Sequence, residues 1–322
     1  MQFESESGNP WATDMAALPW LRGNLHCHTT ESDGRLTPQQ TVDWFAGAGY
    51  HFLALTDHNR VTDPTALNTK GLCLLTSTEL TAAGGELGSA YHLVGLGLTS
   101  DAVLPPPSTL AAESVSWLRE RGAVVFVAHP HWSGLSVADL MAAGAHGIEI
   151  YNGGTVLDSQ RGEALTHWDE GLARGARWWG IAVDDTHWHT IDRGLGWVMV
   201  RAANATPKAI LHALAQGQFY SSSGPEIHQV HVSTTEDGAT LVEVETSPCA
   251  AIYLLPFGAR SQFAFEREAA ARGEIGANIK TARFTLGNLG PGGYVRIQCT
   301  DWQRRCAWSN PLFLATDASP GK

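Results

Sequence analysis

The most informative stretch of the sequence is residues 25–34, Leu25-His26-Cys27-His28-Thr29-Thr30-Glu31-Ser32-Asp33-Gly34. It reads as the end of a first strand, Arg22 to His28, that runs into a loop. Successive side chains of a strand point to opposite faces, so His26 and His28 project together while Cys27 points away. Asp33 lies in a Ser-Asp-Gly turn that can fold back beside the imidazoles. Two nitrogens and an oxygen suit a divalent cation such as zinc, manganese or iron, although two unrelated histidines remain the alternative on this stretch alone.

The composition is that of an ordinary globular protein. The 322 residues are 43% hydrophobic and 16% charged, which leaves room for one large or two medium domains. A net charge of −11 opposes a broad nucleic-acid interface, which needs clustered Lys and Arg. Five cysteines without a C-x-x-C motif favour free thiols in a reducing, cytoplasmic compartment. An acidic N-terminus without a signal pattern, and no apolar run of about 18 residues, predict no membrane partner.

Apolar runs that end in polar residues recur along the first two thirds of the chain. The polar groups at these ends are Asp57-His58-Asn59, Glu79, His129-Pro130-His131, Tyr151-Asn152 and Asp184-Asp185-Thr186-His187, whereas His92 precedes its run. Helical patterns lie between the runs, near residues 37–48, 110–121, 136–143, 161–174 and 206–217. The first of them opens with a capping box formed by Thr37 and Gln40.

Strands that alternate with helices predict a parallel sheet, and continuous apolar strands predict burial on both faces. Polar clusters at many strand ends favour a barrel with its site at one mouth over an open doubly wound sheet, which places ligands at a single crevice.

The pattern changes after Gly217. Residues 226–316 contain alternating segments and turn signals near 236–238 and 290–293, which predict a small antiparallel β-sandwich with one short helix within Phe263–Arg272. We therefore divide the chain into an N-terminal arm (1–21), a barrel (22–225), the sandwich (226–316) and a disordered tail (317–322).

Seven motifs within residues 22–225 occur in the order found in the PHP (polymerase and histidinol phosphatase) superfamily. They are His-x-His, Ser-Asp-Gly, Asp-His-Asn, a strand-end Glu, a His before an apolar run, Ala-His-Pro and Asp-x-His. The chain resembles this superfamily. Within it, segments such as Ala128-His-Pro-His-Trp and Glu149-Ile-Tyr-Asn resemble the branch that includes carbaryl (N-methylcarbamate) hydrolases.

The resemblance implies an α/β fold, a distorted TIM-like (β/α)7 barrel, that binds two or three divalent ions (Mn, Fe or Zn). The implied ligand sets are His26, His28, Glu79 and Asp185 for one ion; Glu79, His92 and His129 for a second; and Asp33, His58 and His187 for a third. Three doublets stay open, because Asp184 could replace Asp185, His131 could replace His129, and His189 could replace His187.

Clustered cations imply hydrolysis, since a metal-held water loses its proton near neutral pH. Asp57, His131 or His187 could deliver a proton to the leaving group, although Asp57 could instead hydrogen-bond to a ligand histidine. Glu149 is expected to be a buried partner of a basic group, with metal ligation as the alternative. Residues that could contact the substrate are Asn59, Arg60, Trp132, Tyr151, Asn152 and Arg193.

Three functional classes follow. The first is a phosphoesterase acting on small phosphomonoesters or diesters, for which Arg60 and Arg193 are the nearby guanidinium candidates. The second is a carbamate or carboxyl-ester hydrolase of the carbaryl-hydrolase type. The third is a non-catalytic metal-binding scaffold, which the complete donor set disfavours. The expected partner is a small-molecule ester, and the sequence does not indicate a number of subunits.

Overall fold

The computed structural model describes residues 9–12, 14–235, 239–272, 276–287 and 293–313. The chain divides into two compact units. The larger unit is Pro19–Ala215, and the smaller unit combines Met1–Leu18 with Gln216–Lys322. The predicted turn at 236–238, most of the turn at 290–293, and the predicted tail lie outside the described residues. The predicted domain bounds stay predictions.

One mixed sheet forms the centre of the larger unit. Its strands are β1 (Trp20–Asn24), β2 (Phe52–Leu55), β3 (Cys73–Ala82), β4 (Tyr91–Leu96), β5 (Val124–Val127), β6 (Gly147–Asn152), β7 (Trp179–Val183) and β8 (Trp197–Arg201). Their spatial order is β8-β1-β2-β3-β4-β5-β6-β7, and β7 also lies beside β8. The count of seven barrel strands stays a prediction.

The sheet is mainly, but not wholly, parallel. The pairs β1–β2, β2–β3, β5–β6 and β6–β7 are parallel. Strand β4 is antiparallel to both β3 and β5, and β8 is antiparallel to β1. Residues 83–90 join β3 to β4, and this connection is too short for the crossover of a dozen or more residues that a parallel pair requires.

Helices connect most of these strands. They are α1 (Pro38–Gly47), α2 (Ala111–Glu120), α3 (Pro130–Ser133), α4 (Val137–Ala143), α5 (Gly153–Ser159), α6 (Leu165–Ala173) and α7 (Pro207–Ala215). The five predicted helical segments are confirmed, and so is the capping box of Thr37 and Gln40 that opens α1. The sequence did not predict α3, α5 or the strand β8.

The core of the larger unit explains why these segments fold as they do. All four residues of β2 are buried, as are all four of β5, which confirms the prediction of strands covered on both faces. Val42 and Phe45 on α1 pack in one cluster with Leu53 and Leu55 on β2, and Cys27 joins that cluster. Burying a Val, Leu or Phe side chain stabilises the folded state by roughly 1.5–3 kcal/mol each.

The smaller unit is built from antiparallel strands. These are β9 (Phe219–Ser222), β10 (Ile227–Thr234), β11 (Thr240–Cys249), β12 (Ala251–Pro256), β13 (Gln262–Ala264), β14 (Ile279–Leu286), β15 (Tyr294–Thr300), β16 (Cys306–Ser309) and β17 (Leu312–Phe313), with one helix, α8 (Arg267–Ala271). One sheet has the order β10-β11-β14, and the other has the order β13-β12-β15-β16-β9 with β17 on β15.

Side chains alternate along β11, where Val242 and Val244 are buried while Glu243 and Glu245 are exposed. Antiparallel pairing and the short helix in this region are confirmed. Their packing as a sandwich stays a prediction. Among the helices that the structure describes, none has the length and hydropathy needed to cross a bilayer.

Candidate metal centre

His26 and His28 lie just beyond the end of β1 and direct their rings to one buried point. Their Nε2 atoms are 3.1 Å apart, and both side chains are fully buried. Cys27 points the other way, and its Sγ donates to the carbonyl oxygen of Ala54 at 3.3 Å. The expected alternation is therefore present, although β1 ends at Asn24 rather than at His28.

Two buried carboxylates face these imidazoles. Glu79, on β3, places Oε2 at 3.2 Å from Nε2 of both His26 and His28. Asp185, which follows β7, places Oδ1 at 3.2 Å from Nε2 of His26 and 3.1 Å from that of His28. The backbone of Asp185 has a φ of 53°, a left-handed conformation that is uncommon outside glycine and that turns its side chain toward the histidines.

A second group of donors surrounds the exposed carboxylate of Asp33. Its oxygens lie 3.5 Å from Nε2 of His58, 3.5 Å from Nε2 of His187 and 3.6 Å from Nδ1 of His28. His58 also reaches Glu79, with 2.9 Å between Nδ1 and Oε2. The Ser-Asp-Gly turn has thus folded back beside the His-x-His segment.

His92 and His129 contact the other carboxylate oxygen of Glu79, Oε1. Oε1 of Glu79 lies 2.7 Å from Nδ1 of His92, on β4, and 3.2 Å from Nε2 of His129, at the start of α3. His129 has a φ of 26°. Such strained backbone is tolerated where the surroundings fix it, and it occurs most often at functional sites.

The donor set fits divalent cations. Oε2 of Glu79 is buried and makes no hydrogen bond, even though three imidazole nitrogens lie within 3.2 Å of it. Three ring nitrogens therefore converge on this one carboxylate oxygen without a hydrogen bond, as ligands do around a shared ion. Four sets have ligand atoms within 4.8 Å of one another: His26/His28/Glu79, His26/His129/Asp185, His58/Glu79/His92 and His28/Asp33/His58/His187. Mixed imidazole and carboxylate donors suit zinc, manganese and iron.

The charges at this centre are strongly coupled. Burial alone would lower the pKa of His28, but its hydrogen bond with Asp185 and the charges of Glu79 and Asp185 raise it to about 9. Burial would likewise raise the pKa of Asp185, whereas His26 and His28 hold it well below its usual range. The pKa of His187 is lowered by burial and by the charge of His28. A bound cation would take the place of protons on these imidazoles, because metal ligands must be deprotonated.

The structure separates the two members of each doublet. Asp185 joins the cluster, whereas Asp184 accepts hydrogen bonds from the amides of Gly194, Leu195 and Gly196. His131 is exposed, and its Nδ1 lies 3.1 Å from the carbonyl oxygen of Glu163. Nε2 of His189 lies 3.2 Å from the carbonyl oxygen of Asp33. His189 lines the pocket but belongs to none of the four donor sets.

Glu149 is buried beside the cluster rather than within it. Its Oε1 lies 2.6 Å from Nδ1 of His26, and its Oε2 accepts hydrogen bonds from the amide of His129 and the side chain of Asn152, both at 2.8 Å. Asn152 also donates to Asp185 Oδ2 and accepts the amide hydrogen of Thr155 to cap α5. The placement of Asn152, expected to contact substrate, is that of a buried positioning residue.

The structure does not bring Asp57 to the pocket. Its buried carboxylate accepts hydrogen bonds from the amide and hydroxyl of Thr29 and from the hydroxyls of Ser32 and Thr62. These contacts hold the turn that carries Asp33. They leave Asp57 poorly placed both for proton delivery and for a hydrogen bond to a ligand histidine.

Of the other expected substrate contacts, only Trp132 lines the pocket. Asn59 exchanges two hydrogen bonds with Thr81, and Arg60 pairs with Glu31. Arg193 donates to the carbonyl oxygen of Thr190 and faces the rings of Trp44 and Trp188. Tyr151 is half-buried on β6.

The pocket over the cluster has a volume of about 340 Å³. Besides cluster residues it is lined by Trp132, Gly154, Thr155, Asp158, His189, Thr190 and Asp192. The sequence had suggested no role for Gly154, Thr155, Asp158, Thr190 or Asp192. Asp192 accepts hydrogen bonds from the hydroxyl of Thr186 and the amide of His187, and so fixes the loop that carries His187. The segment Asn152-Gly-Gly-Thr155 could have predicted α5, because Asn152 is its N-cap, but its two glycines are more typical of a turn.

No family model matches the sequence. The 5'-3' exoribonuclease of Haemophilus influenzae is 34% identical over 105 residues, which cover 31% of this chain and 36% of that protein. The 3',5'-nucleoside bisphosphate phosphatase of Chromobacterium violaceum is 34% identical over 79 residues, which cover 23% of this chain and 27% of that protein. The chain therefore matches well under half the length of both relatives.

A solved structure matches almost the entire chain. It is a two-domain protein from Bacteroides vulgatus containing a predicted PHP-like metal-dependent phosphoesterase, and it superposes with a TM-score of 0.51 at 14% identity over 97% of this chain and 98% of that one. This chain has a PHP-like fold. The similarity extends to the fold alone, so membership of the PHP superfamily and of its carbaryl-hydrolase branch stays a prediction.

Proposed function

We propose that this PHP-like chain is a metal-dependent phosphoesterase that uses two or three divalent ions to hydrolyse small phosphomonoesters or diesters. The observation that carries the proposal is the convergence of imidazoles and carboxylates on Glu79, whose buried Oε2 faces three ring nitrogens without a hydrogen bond. The names of the two curated relatives, an exoribonuclease and a bisphosphate phosphatase, support phosphorus as the electrophile.

The proposed reaction is a hydrolysis. When bound, the ions would lower the pKa of a coordinated water and neutralise charge on the phosphoryl oxygens. The water oxygen forms a bond to phosphorus while the bond to the leaving oxygen breaks, and the leaving oxygen takes up a proton. His187 lines the pocket and is the proposed proton donor where the site holds two ions and His187 binds neither; where His187 holds a third ion, water supplies the proton. Asp57 and His131 lie outside the lining, so the proposal does not give them this step.

The ligand assignment is also a proposal. His26, His28, Glu79 and Asp185 would hold one ion, Glu79, His92 and His129 a second, and Asp33, His58 and His187 a third. Glu149 would orient His26, as outer carboxylates commonly do for metal-bound histidines. We further propose that residues 22–225 form a seven-stranded PHP-type barrel and residues 226–316 a β-sandwich.

One observation favours a second candidate, hydrolysis of carbamates or carboxyl esters. Among the lining residues, all of which lie in the described part of the chain, there is neither Lys nor Arg. Phosphate sites commonly use guanidinium groups, whereas a carbamate or carboxyl ester needs none.

The test is hydrolysis of p-nitrophenyl phosphate and bis(p-nitrophenyl) phosphate after loading with Mn²⁺, Fe²⁺ or Zn²⁺, with 1-naphthyl N-methylcarbamate in parallel. Metal-dependent turnover of either phosphoester, lost in His26→Ala, supports the proposal. Turnover of the carbamate alone would move the assignment to the second candidate. Inactivity on all three despite bound metal would favour the non-catalytic metal-binding scaffold, and failure to bind stoichiometric metal would contradict the proposal.

A further inference from the structure

Two basic residues that the sequence offered for phosphate binding are both engaged away from the pocket. Arg60 pairs with the Glu31 carboxylate and donates to its carbonyl oxygen. Arg193 donates to the carbonyl of Thr190 and lies over two indole rings. A second anionic group on a substrate would therefore find no fixed cation in the lining beyond the metal centre and its histidines.

The acidic side chains of the lining differ in their availability. Glu79, Asp185 and Asp33 face the imidazoles, and Asp192 is occupied by the loop that carries His187. Asp158, by contrast, is exposed on α5 and forms no ion pair with the described residues. It is the lining carboxylate placed to meet the part of a substrate that lies outside the metal cluster.

Trp132 supplies a flat apolar wall to the same pocket. Its side chain is 45% exposed, and its ring stands edge-on to His129, with 4.9 Å between the ring centroids, and to His92, at 6.1 Å. An exposed indole beside a metal cluster offers a surface for stacking and for cation–π contact. This wall would lie against whatever is attached to the reacting ester.

We infer that the substrate carries a flat leaving group that is neutral or cationic, with no second anionic group. This inference rests on the proposed phosphoesterase function and narrows its substrate class. An additional phosphate or carboxylate would meet Asp158 without a compensating guanidinium, whereas an aromatic ring or an ammonium group would find Trp132 and Asp158. The chain is thereby expected to disfavour bisphosphates, unlike the relative named for cleaving them.

The test uses three aryl phosphates with the same ring and a short para substituent: 4-ethylphenyl, 4-(2-aminoethyl)phenyl and 4-(2-carboxyethyl)phenyl phosphate. They share the scissile bond and differ in the charge of a remote group. The metal-loaded protein should show kcat/KM values for the cationic and neutral esters at least about tenfold above that for the anionic ester, a difference of about 1.4 kcal/mol. Adenosine 5'-monophosphate should likewise be preferred to adenosine 3',5'-bisphosphate.

Variants test whether Asp158 and Trp132 cause this preference among the esters. Asp158→Asn should reduce the ratio of cationic to anionic kcat/KM by about threefold to fivefold, as expected for an exposed charge. Asp101→Asn, which changes an exposed aspartate outside the lining, is the matched control and should keep the wild-type ratio. Trp132→Ala should lower kcat/KM for 4-ethylphenyl phosphate about tenfold relative to methyl phosphate. Ratios within one variant cancel any general loss of folded or metal-loaded protein.

Equal or faster hydrolysis of the anionic ester, or an unchanged ratio in Asp158→Asn, would overturn the inference while leaving the proposed function intact. Hydrolysis of none of the esters would instead contradict the proposed function. In that event calorimetric binding of the same three esters to the metal-loaded protein decides the charge order, and tighter binding of the anionic ester would overturn the inference.

Discussion

Nδ1 of His26 lies 2.6 Å from Oε1 of Glu149, and both side chains are fully buried. Because this contact occupies Nδ1, the other ring nitrogen of His26 is the one that faces Glu79 and Asp185. The second oxygen of Glu149 holds the amide of His129. A single carboxylate therefore orients one proposed ligand directly and a second through its backbone.

Glu149→Gln should weaken metal binding without removing a ligand. The amide keeps the size of the carboxylate but loses its charge, and changes to such orienting groups typically reduce metal affinity about 10-fold to 100-fold. Calorimetric titration of the metal-free protein with Zn²⁺ or Mn²⁺ measures the effect. Glu113→Gln, on the exposed surface of α2, is the matched control. Equal affinities in Glu149→Gln and wild type would show that Glu149 does not position His26.

Metal removal should lower stability through the same cluster. A ligand that binds only the folded state at 100 times its Kd adds about 2.7 kcal/mol to the free energy of unfolding. The Tm should therefore fall when a chelator is added and recover with Mn²⁺ or Zn²⁺. Glu79→Gln should lose most of this metal-dependent increase, because Glu79 contacts imidazoles from both sides. Identical Tm values with chelator and with metal would contradict a metal centre at this position.

Local patterns predicted much of the site. Alternation along an extended chain placed His26 and His28 together, and the capping box located α1. Relationships between distant segments were harder to predict. The pairing of Arg60 with Glu31 and the burial of Asp57 under the Asp33 turn depend on how two loops meet, which periodicity does not encode.

The sequence also could not predict which member of each doublet faces the metal cluster. Pro130 begins a helix, so His129 precedes the helix while His131 lies within it and points to a different surface. The left-handed backbone of Asp185 turns it away from the direction of Asp184. Both distinctions depend on single backbone conformations that residue identity does not fix.

His146 should make stability depend on pH outside the metal centre. Burial, together with the charge of Arg119, lowers the pKa of His146 from 6.5 to about 4, and its Nδ1 accepts the amide hydrogen of Val125 at 3.1 Å. The unfolded chain therefore binds more protons than the folded chain between these values. The stabilising contribution is complete above about pH 6.5 and is lost as the pH falls toward 4.

His146→Asn should flatten this dependence, since an amide oxygen can accept the same hydrogen bond without titrating. Urea unfolding of both proteins at pH 7, 5.5 and 4.5, with chelator present throughout, gives the comparison. His212→Asn, at an exposed position on α7, should retain the wild-type slope. If His146→Asn and wild type lose stability in parallel over this range, His146 is not a source of the pH dependence.

Asp57→Asn should destabilise the turn that carries Asp33. The buried carboxylate accepts the amide and hydroxyl hydrogens of Thr29 and the hydroxyl hydrogen of Ser32. In the variant, the NH2 group of asparagine would replace one of the accepting oxygens and would face hydrogen-bond donors. Loss of a hydrogen bond to a charged group costs about 1.5–3 kcal/mol. Denaturant unfolding of metal-free protein measures that cost, with Asp101→Asn expected to match wild type. Hydrogen exchange should be faster over residues 29–34 in the variant. A variant as stable as wild type that nevertheless lost all hydrolysis would instead assign Asp57 to the reaction.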